Sequence, residues 1–209
     1  MRDVDIIALL VYIVSLLVYL AFSYYTLRRE ELQTYRTKIS QYRAEWLRRQ
    51  LKENRYDNVL NTVRNSLVAA SSLASALIIM VGFIINKVVP DGERTFFEYF
   101  TTNKLSLINI MLFLTIYFLF MHIRLLSRFT FLAGTDLSII KKVEGEEGLA
   151  YLSSMLNRTM NQFSYAMRCL YYAVVAVLWL FDTHLFIIAT ILLTVVLIYR
   201  ESFAKVEFV

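Results

Sequence analysis

Three runs of this chain, residues 6–25, 67–85 and 105–123, hold no Asp, Glu, Lys or Arg. Each is close to the ~20 apolar residues with which a helix crosses the hydrocarbon of a bilayer. A fourth apolar stretch follows Arg168 and lasts to Tyr199, broken only by Asp182-Thr183-His184. It is too long for one crossing. The break reads as the tip of a tight helical hairpin, with spans over 163–181 and 185–199. The last span is short and extends into 200–203 if its charges snorkel to the headgroups. A single long tilted span would instead bury Asp182 and His184, at a cost of at least about 2.5 kcal/mol for a mid-membrane charge. The expectation is an all-α, polytopic membrane helical bundle of about five transmembrane helices, a single membrane domain over 1–209. The first run is not expected to be a cleaved signal, because Met1-Arg2-Asp3-Val4-Asp5 is not basic and no small-x-small site follows.

Composition agrees. The chain is 58% hydrophobic, against roughly 45–50% for soluble domains. With 5 Gly, 1 Pro and 1 Cys it is neither collagen-like nor a disulfide framework. No room remains for a soluble catalytic domain.

Orientation follows from Lys and Arg. Ten of the 22 lie between the first two runs, and Arg124, Arg128, Lys141, Lys142 and Arg158 follow the third. With Arg168, Arg200 and Lys205, eighteen fall on one side and four, Arg2, Lys87, Arg94 and Lys104, on the other. Positive residues stay cytoplasmic. The N-terminus is expected outside and the C-terminus cytoplasmic, most simply in the cell membrane. The net charge of +5 then belongs to the cytoplasmic face. It suits an anionic leaflet rather than nucleic acid, for which there is no motif.

Residues 26–66 contain no Gly or Pro, so a long cytoplasmic amphipathic helical arm is expected. Leu32, Tyr35, Ile39, Tyr42 and Trp46 recur at spacings of 3 and 4 and share one face, with Leu47 and Leu51 beside it. That face suits the membrane interface, a partner helix, or the protein's own loops. In the cytoplasmic loop 124–162, Gly145 and Gly148 with mixed charge suggest a solvated turn between short helices.

Few residues suggest chemistry. No Cys/His cluster has metal spacing, and no catalytic group, metal or cofactor is expected. His122 shares a face with Thr115 and lies near the inner end of the third span, which suits an interfacial position or a proton-handling one. Asp182 and His184 suit a polar hairpin tip, or weakly the edge of a site. Arg168 suits a snorkelling anchor or a buried, paired cation. The second span is more informative. Arg64, Val68, Ser71, Ser75, Gly82 and Asn86 fall on one stripe at 100° per residue. Small and hydroxyl side chains favour close helix contact in lipid. The same stripe would line a water path in an oligomer, with Arg64 at its inner mouth.

Several segments resemble the membrane family catalogued as domain of unknown function 599. They are Arg64-Asn65-Ser66-Leu67-Val68-Ala69-Ala70-Ser71, the third span ending His122-Ile123-Arg124, and the final hairpin. In the hairpin, Phe163-Ser164-Tyr165-Ala166-Met167-Arg168, Tyr171-Tyr172-Ala173, Leu178-Trp179-Leu180-Phe181 and Tyr199-Arg200-Glu201-Ser202-Phe203 look like the family pattern. The resemblance covers about 55–205. The chain departs from it at Asp182-Thr183-His184, where a Pro-containing turn is expected, and at Ala166, where Gly is frequent. The resemblance implies a multi-span protein and brings no activity, substrate or catalytic residue. The expected function is a non-enzymatic membrane protein acting by self-association or as a subunit of a larger membrane complex. The alternative is an oligomeric channel or transporter. The expected partners are the bilayer and a homo-oligomer or membrane-complex partner.

Overall fold

The computed structural model describes residues 3–28, 35–88 and 104–203. Leu32 of the arm stripe, and Arg2, Arg29, Arg94 and Lys205 of the charge asymmetry, lie outside the described residues. So do the side chains of Arg28, Tyr35, Arg36 and Lys87. Seven helices are described: α1 (Asp3–Arg28), α2 (Tyr35–Lys52), α3 (Tyr56–Val88), α4 (Lys104–Ala133), α5 (Leu137–Glu144), α6 (Gly148–Leu178) and α7 (Thr183–Phe203). The fold is an all-α bundle. Four of these helices, α1, α3, α4 and α7, are long and apolar enough to cross a membrane. The expected count of about five spans includes 163–181 of α6, which is not among those four. Asn161, Gln162, Ser164 and Arg168 leave α6 apolar only in its final turns.

The chain divides into two compact units. The first comprises residues 1–39, 81–112 and 169–209. Here α1 packs along α7. Ala8, Tyr12, Tyr19 and Ser23 are the buried stripe of α1, spaced 4, 7 and 4 residues apart. Phe186, Thr190, Thr194 and Leu197 are the buried stripe of α7. The remaining faces are aliphatic and exposed, with Leu10, Val14, Leu17, Ile188, Leu192 and Val196 all turned outward. A helix apolar on every side that buries mainly small, hydroxyl-bearing and aromatic residues and turns its aliphatic ones outward has the pattern of a lipid-facing helix. The expected hairpin break is present. α6 stops at Leu178, and Asp182 opens α7 by accepting the Leu185 backbone N–H on Oδ1 at 2.7 Å. Asp182 and His184 are exposed, and the helix is interrupted between Leu178 and Thr183, so one continuous span is excluded.

The second unit comprises residues 40–80 and 113–168. Its core is apolar and mostly aliphatic: Leu47 and Leu51 of α2, Val59 and Val63 of α3, Leu126 and Phe129 of α4, Ile140 of α5, and Leu152 and Leu156 of α6. All of these lie outside the apolar runs. The arm expected over 26–66 is not one helix. α2 ends where the Arg55 N–H bonds the Gln50 carbonyl at 2.9 Å and Asn54 N–H bonds the Leu51 carbonyl at 3.2 Å. Asn54 stands at φ 53, the left-handed position that closes such a terminus. The arm's buried face is also turned from the expected one. Leu47, Gln50 and Leu51 point inward and Trp46 is half-buried, while Tyr42 is exposed. The arm packs on its own chain, and the Asn157 amide donates to the Ser40 carbonyl at 3.3 Å from α6.

The loop expected over 124–162 is largely helical. α4 continues to Ala133, and Asp136 caps α5 by accepting the Ser138 N–H at 2.8 Å. The expected glycine turn follows. Gly145 ends α5 at φ 76. At Gly148 a Cβ would stand 2.6 Å from the Leu137 carbonyl oxygen, so α6 can begin against α5 only with glycine there.

Candidate functional site

Polar side chains inside a membrane bundle are the natural place to look for function, because each must find a partner or stay costly. Two such groups stand out in the first unit. At the N-terminal end of α1, Asp5 Oδ1 accepts from the Trp179 indole N–H at 3.1 Å and from the Thr183 hydroxyl at 3.1 Å. The Lys104 ammonium pairs with the same oxygen at 3.1 Å and also donates to the Trp179 carbonyl at 3.1 Å. Lys104 lies 5.3 Å over the indole ring as well. One carboxylate oxygen thus gathers α1, α4 and the α6–α7 turn. Of the departures from the resembling family, Asp182 supplies the cap and Thr183 a donor to Asp5.

Further along α1 an aromatic column begins on the same indole. Trp179 stacks on Phe186 at 4.9 Å, Phe186 on Tyr12 at 5.5 Å, and Tyr12 meets Tyr172 edge-on at 5.6 Å. The hydroxyls are satisfied. Tyr12 donates to the Tyr172 carbonyl at 3.2 Å, and Tyr172 lies 2.9 Å from Thr194 Oγ1. Thr194 itself donates to the Thr190 carbonyl at 2.8 Å, so Tyr172 is the donor between the two. Tyr19 donates to Glu201 at 2.7 Å. Tyr172, Trp179 and Glu201 stand in segments that carry the family resemblance, but the sequence reading gave none of these residues a role. Their signal was present: Tyr12 and Tyr19, like Tyr172 and Trp179, are seven apart and so share a helix face.

The second unit holds His122 with no exposed surface. Its Nδ1 lies 2.8 Å from the Thr159 carbonyl oxygen, which can only accept, so Nδ1 carries the hydrogen. In the neutral ring Nε2 then accepts from the Ser66 hydroxyl at 3.1 Å. The ring packs on Phe163 at 5.2 Å. His122 therefore ties α3, α4 and α6 together. Thr115, on its face, is also fully buried. No acid faces the ring in these bonds, so the arrangement is a structural tie rather than an acid–base pair. Arg168 is half-buried, its guanidinium 5.5 Å over the Tyr165 ring.

The stripe on α3 is placed differently from its neighbours. Arg64, Ser71, Ser75, Gly82 and Asn86 are exposed. Along the apolar part of α3 the residues buried in the chain are Ala70, Ala74, Leu77 and Val81, about a third of a turn away. Within the second unit an open cleft of about 570 Å³ runs beside the start of that stripe, lined by Asp57, Asn61, Arg64, Leu67 and Thr130. Asp182 and His184 are not brought together by any hydrogen bond. Among the described residues no three His, Cys, Asp or Glu stand close enough to hold a metal ion.

No curated protein and no solved structure matches this chain. The family model described as protein of unknown function, DUF599, matches residues 7–206, nearly the whole length, and the chain belongs to that family.

Proposed function

We propose that this membrane protein acts by self-association or as a subunit of a larger membrane complex, without an enzymatic activity of its own. The observation that supports this reading is the unused face of α3. Ser71, Ser75 and Gly82 are exposed, while the chain's own contact uses the alanine face. A methyl group added at Gly82 would meet nothing within 4 Å. Small side chains on an outward membrane face suit the close approach of a second helix. On this reading α6 supplies a fifth crossing through its apolar end. The N-terminus is then outside and the C-terminus cytoplasmic, against an anionic leaflet. Arg64, exposed at the end of the same stripe, favours a second reading, an oligomeric channel or transporter with the stripe on a water path.

Ser75→Cys in a Cys169→Ser background separates the two. Oxidation in native membranes should cross-link copies into dimers if the stripe is a seam. Fast modification by a charged, impermeant thiol reagent, with no cross-link, would favour the water path. Neither result leaves the stripe facing lipid and sinks both readings. Ser75→Leu should also reduce oligomeric size in detergent under the first reading.

A further inference from the structure

We infer that the cleft beside Arg64 binds the headgroup of phosphatidylethanolamine, with the phosphate on Arg64 and the ammonium on Asp57. The argument begins with depth. From Asn65 to Asn86 α3 holds no charged side chain. That interval is roughly 33 Å of helix, about the thickness of the hydrocarbon. Arg64 is the first charge beyond it and so stands at headgroup level. Val68, one turn into the apolar interval on the same face, is exposed, so this side of α3 meets acyl chains.

Asp57, Asn61 and Arg64 recur at spacings of 4 and 3, which puts them on one helix face. All three line the cleft with Leu60, Leu67 and Thr130. All three are exposed, and none makes a side-chain hydrogen bond or ion pair among the described residues. Moving away from the bilayer, the cleft therefore offers a cation, then an amide, then an anion, over about 10 Å of helix. A phosphoethanolamine headgroup presents the reverse order, phosphate near the glycerol and a primary ammonium beyond it. Guanidinium and phosphate form a bidentate, charge-assisted contact. A carboxylate accepts from a primary ammonium but finds no donor in a quaternary one. Leu67, on the bilayer side of Arg64, leaves the cleft apolar where the glycerol enters. A purely anionic headgroup would satisfy Arg64 and meet repulsion from Asp57. This site is independent of whether the Ser71–Ser75 face self-associates.

The test is native mass spectrometry of the full-length protein in detergent, titrated separately with phosphatidylethanolamine, phosphatidylcholine and phosphatidylglycerol of identical acyl chains. Phosphatidylethanolamine should bind most tightly. Arg64→Ala should weaken it about tenfold or more, the loss of a charge-assisted contact. Asp57→Asn should abolish the preference for ethanolamine over choline and improve phosphatidylglycerol binding. Both residues are exposed, so lipid-free melting temperatures should match the parent protein. Equal binding of all three lipids, unchanged by Arg64→Ala, overturns the site. A preference for phosphatidylglycerol that needs Arg64 and ignores Asp57 overturns the ethanolamine assignment.

Discussion

The α1–α7 contact of the first unit and the part of the second unit outside the apolar runs turn their apolar residues in opposite directions. In the first, Leu10, Leu17, Leu192 and Val196 face outward, and the contacts are made by Tyr12, Tyr172, Trp179 and two threonines. In the second, Leu47, Leu126, Phe129 and Leu152 face inward, while Arg48, Arg49, Lys141 and Lys142 are exposed. The difference is a difference of solvent. Lipid tails are as apolar as leucine, so burying leucine against another helix in a membrane gains little, and association falls to packing and hydrogen bonds. In water the same burial is the main driving force. The core residues of the second unit all lie outside the charge-free apolar runs, beside the charged segments of the chain. A single chain thus carries both patterns, and mutations should read out which one operates at each place.

The largest effect is expected in the water-built core. Phe129 is fully buried, and Phe129→Ala should cost about 3–5 kcal/mol through lost transfer energy and the cavity left behind. In detergent this should appear as a markedly lower melting temperature, with early protease cleavage within 124–162. A melt that matches the parent protein would mean that this unit does not depend on an aliphatic core, and the comparison would fail.

Four of the five expected spans were legible because charge is the strongest signal a membrane imposes. A charge-free run of membrane length has few other uses, and Asp182 as a helix cap explains why the last run breaks where it does. The turn at Gly145 was legible for a similar reason, since glycine takes φ 76 without strain. The break after α2 was hidden because Asn54 fills a position where glycine is the usual signal. The face of α2 packed in this chain centres on Leu47 and Leu51, beside the apolar stripe, because Tyr42 on the stripe stands exposed with a hydroxyl that tolerates water. On α3 the serines drew attention and the alanines carry the contact, because alanine allows the same close approach with no hydroxyl to flag it. His122 was visible as a polar group in an apolar run. Its partners Ser66 and Thr159, and the pairing of Asp5 with Lys104, depend on residues far apart in the chain, which spacing cannot reveal.

A smaller effect is expected in the lipid-built unit. Tyr172→Phe removes the hydroxyl that reaches Thr194 and keeps the ring against Tyr12. Thr194 retains its bond to the Thr190 carbonyl, so little is left unsatisfied. Interhelical hydrogen bonds in membranes average about 0.6 kcal/mol, and the loss should be of that order. A drop in melting temperature as large as that of Phe129→Ala would show that hydroxyl contacts, rather than shape, hold α1 and α7 together.

The smallest effect is the response to acid of the second unit's exposed carboxyls. The backbone N–H of Ser138 holds the Asp136 carboxyl below its ordinary value. Glu53 is also held down, chiefly by its hydrogen bond from Arg49, with the charge of Arg55 adding to it. For a carboxyl whose folded pKa is depressed, the stabilisation is fully present above the unfolded value, about 4, and is lost as pH falls through the folded value. The second unit should therefore hold a constant melting temperature from neutral pH down to about 5 and soften below about 4. Asp136→Asn keeps a good helix cap that does not titrate. It should flatten part of that acid limb without lowering stability at neutral pH, and Glu53→Gln should flatten a further part. Both groups are exposed, so the slopes will be shallow. An acid limb unchanged in the double variant would assign the titration to other carboxylates. It would leave the cap at Asp136 a matter of backbone geometry rather than charge.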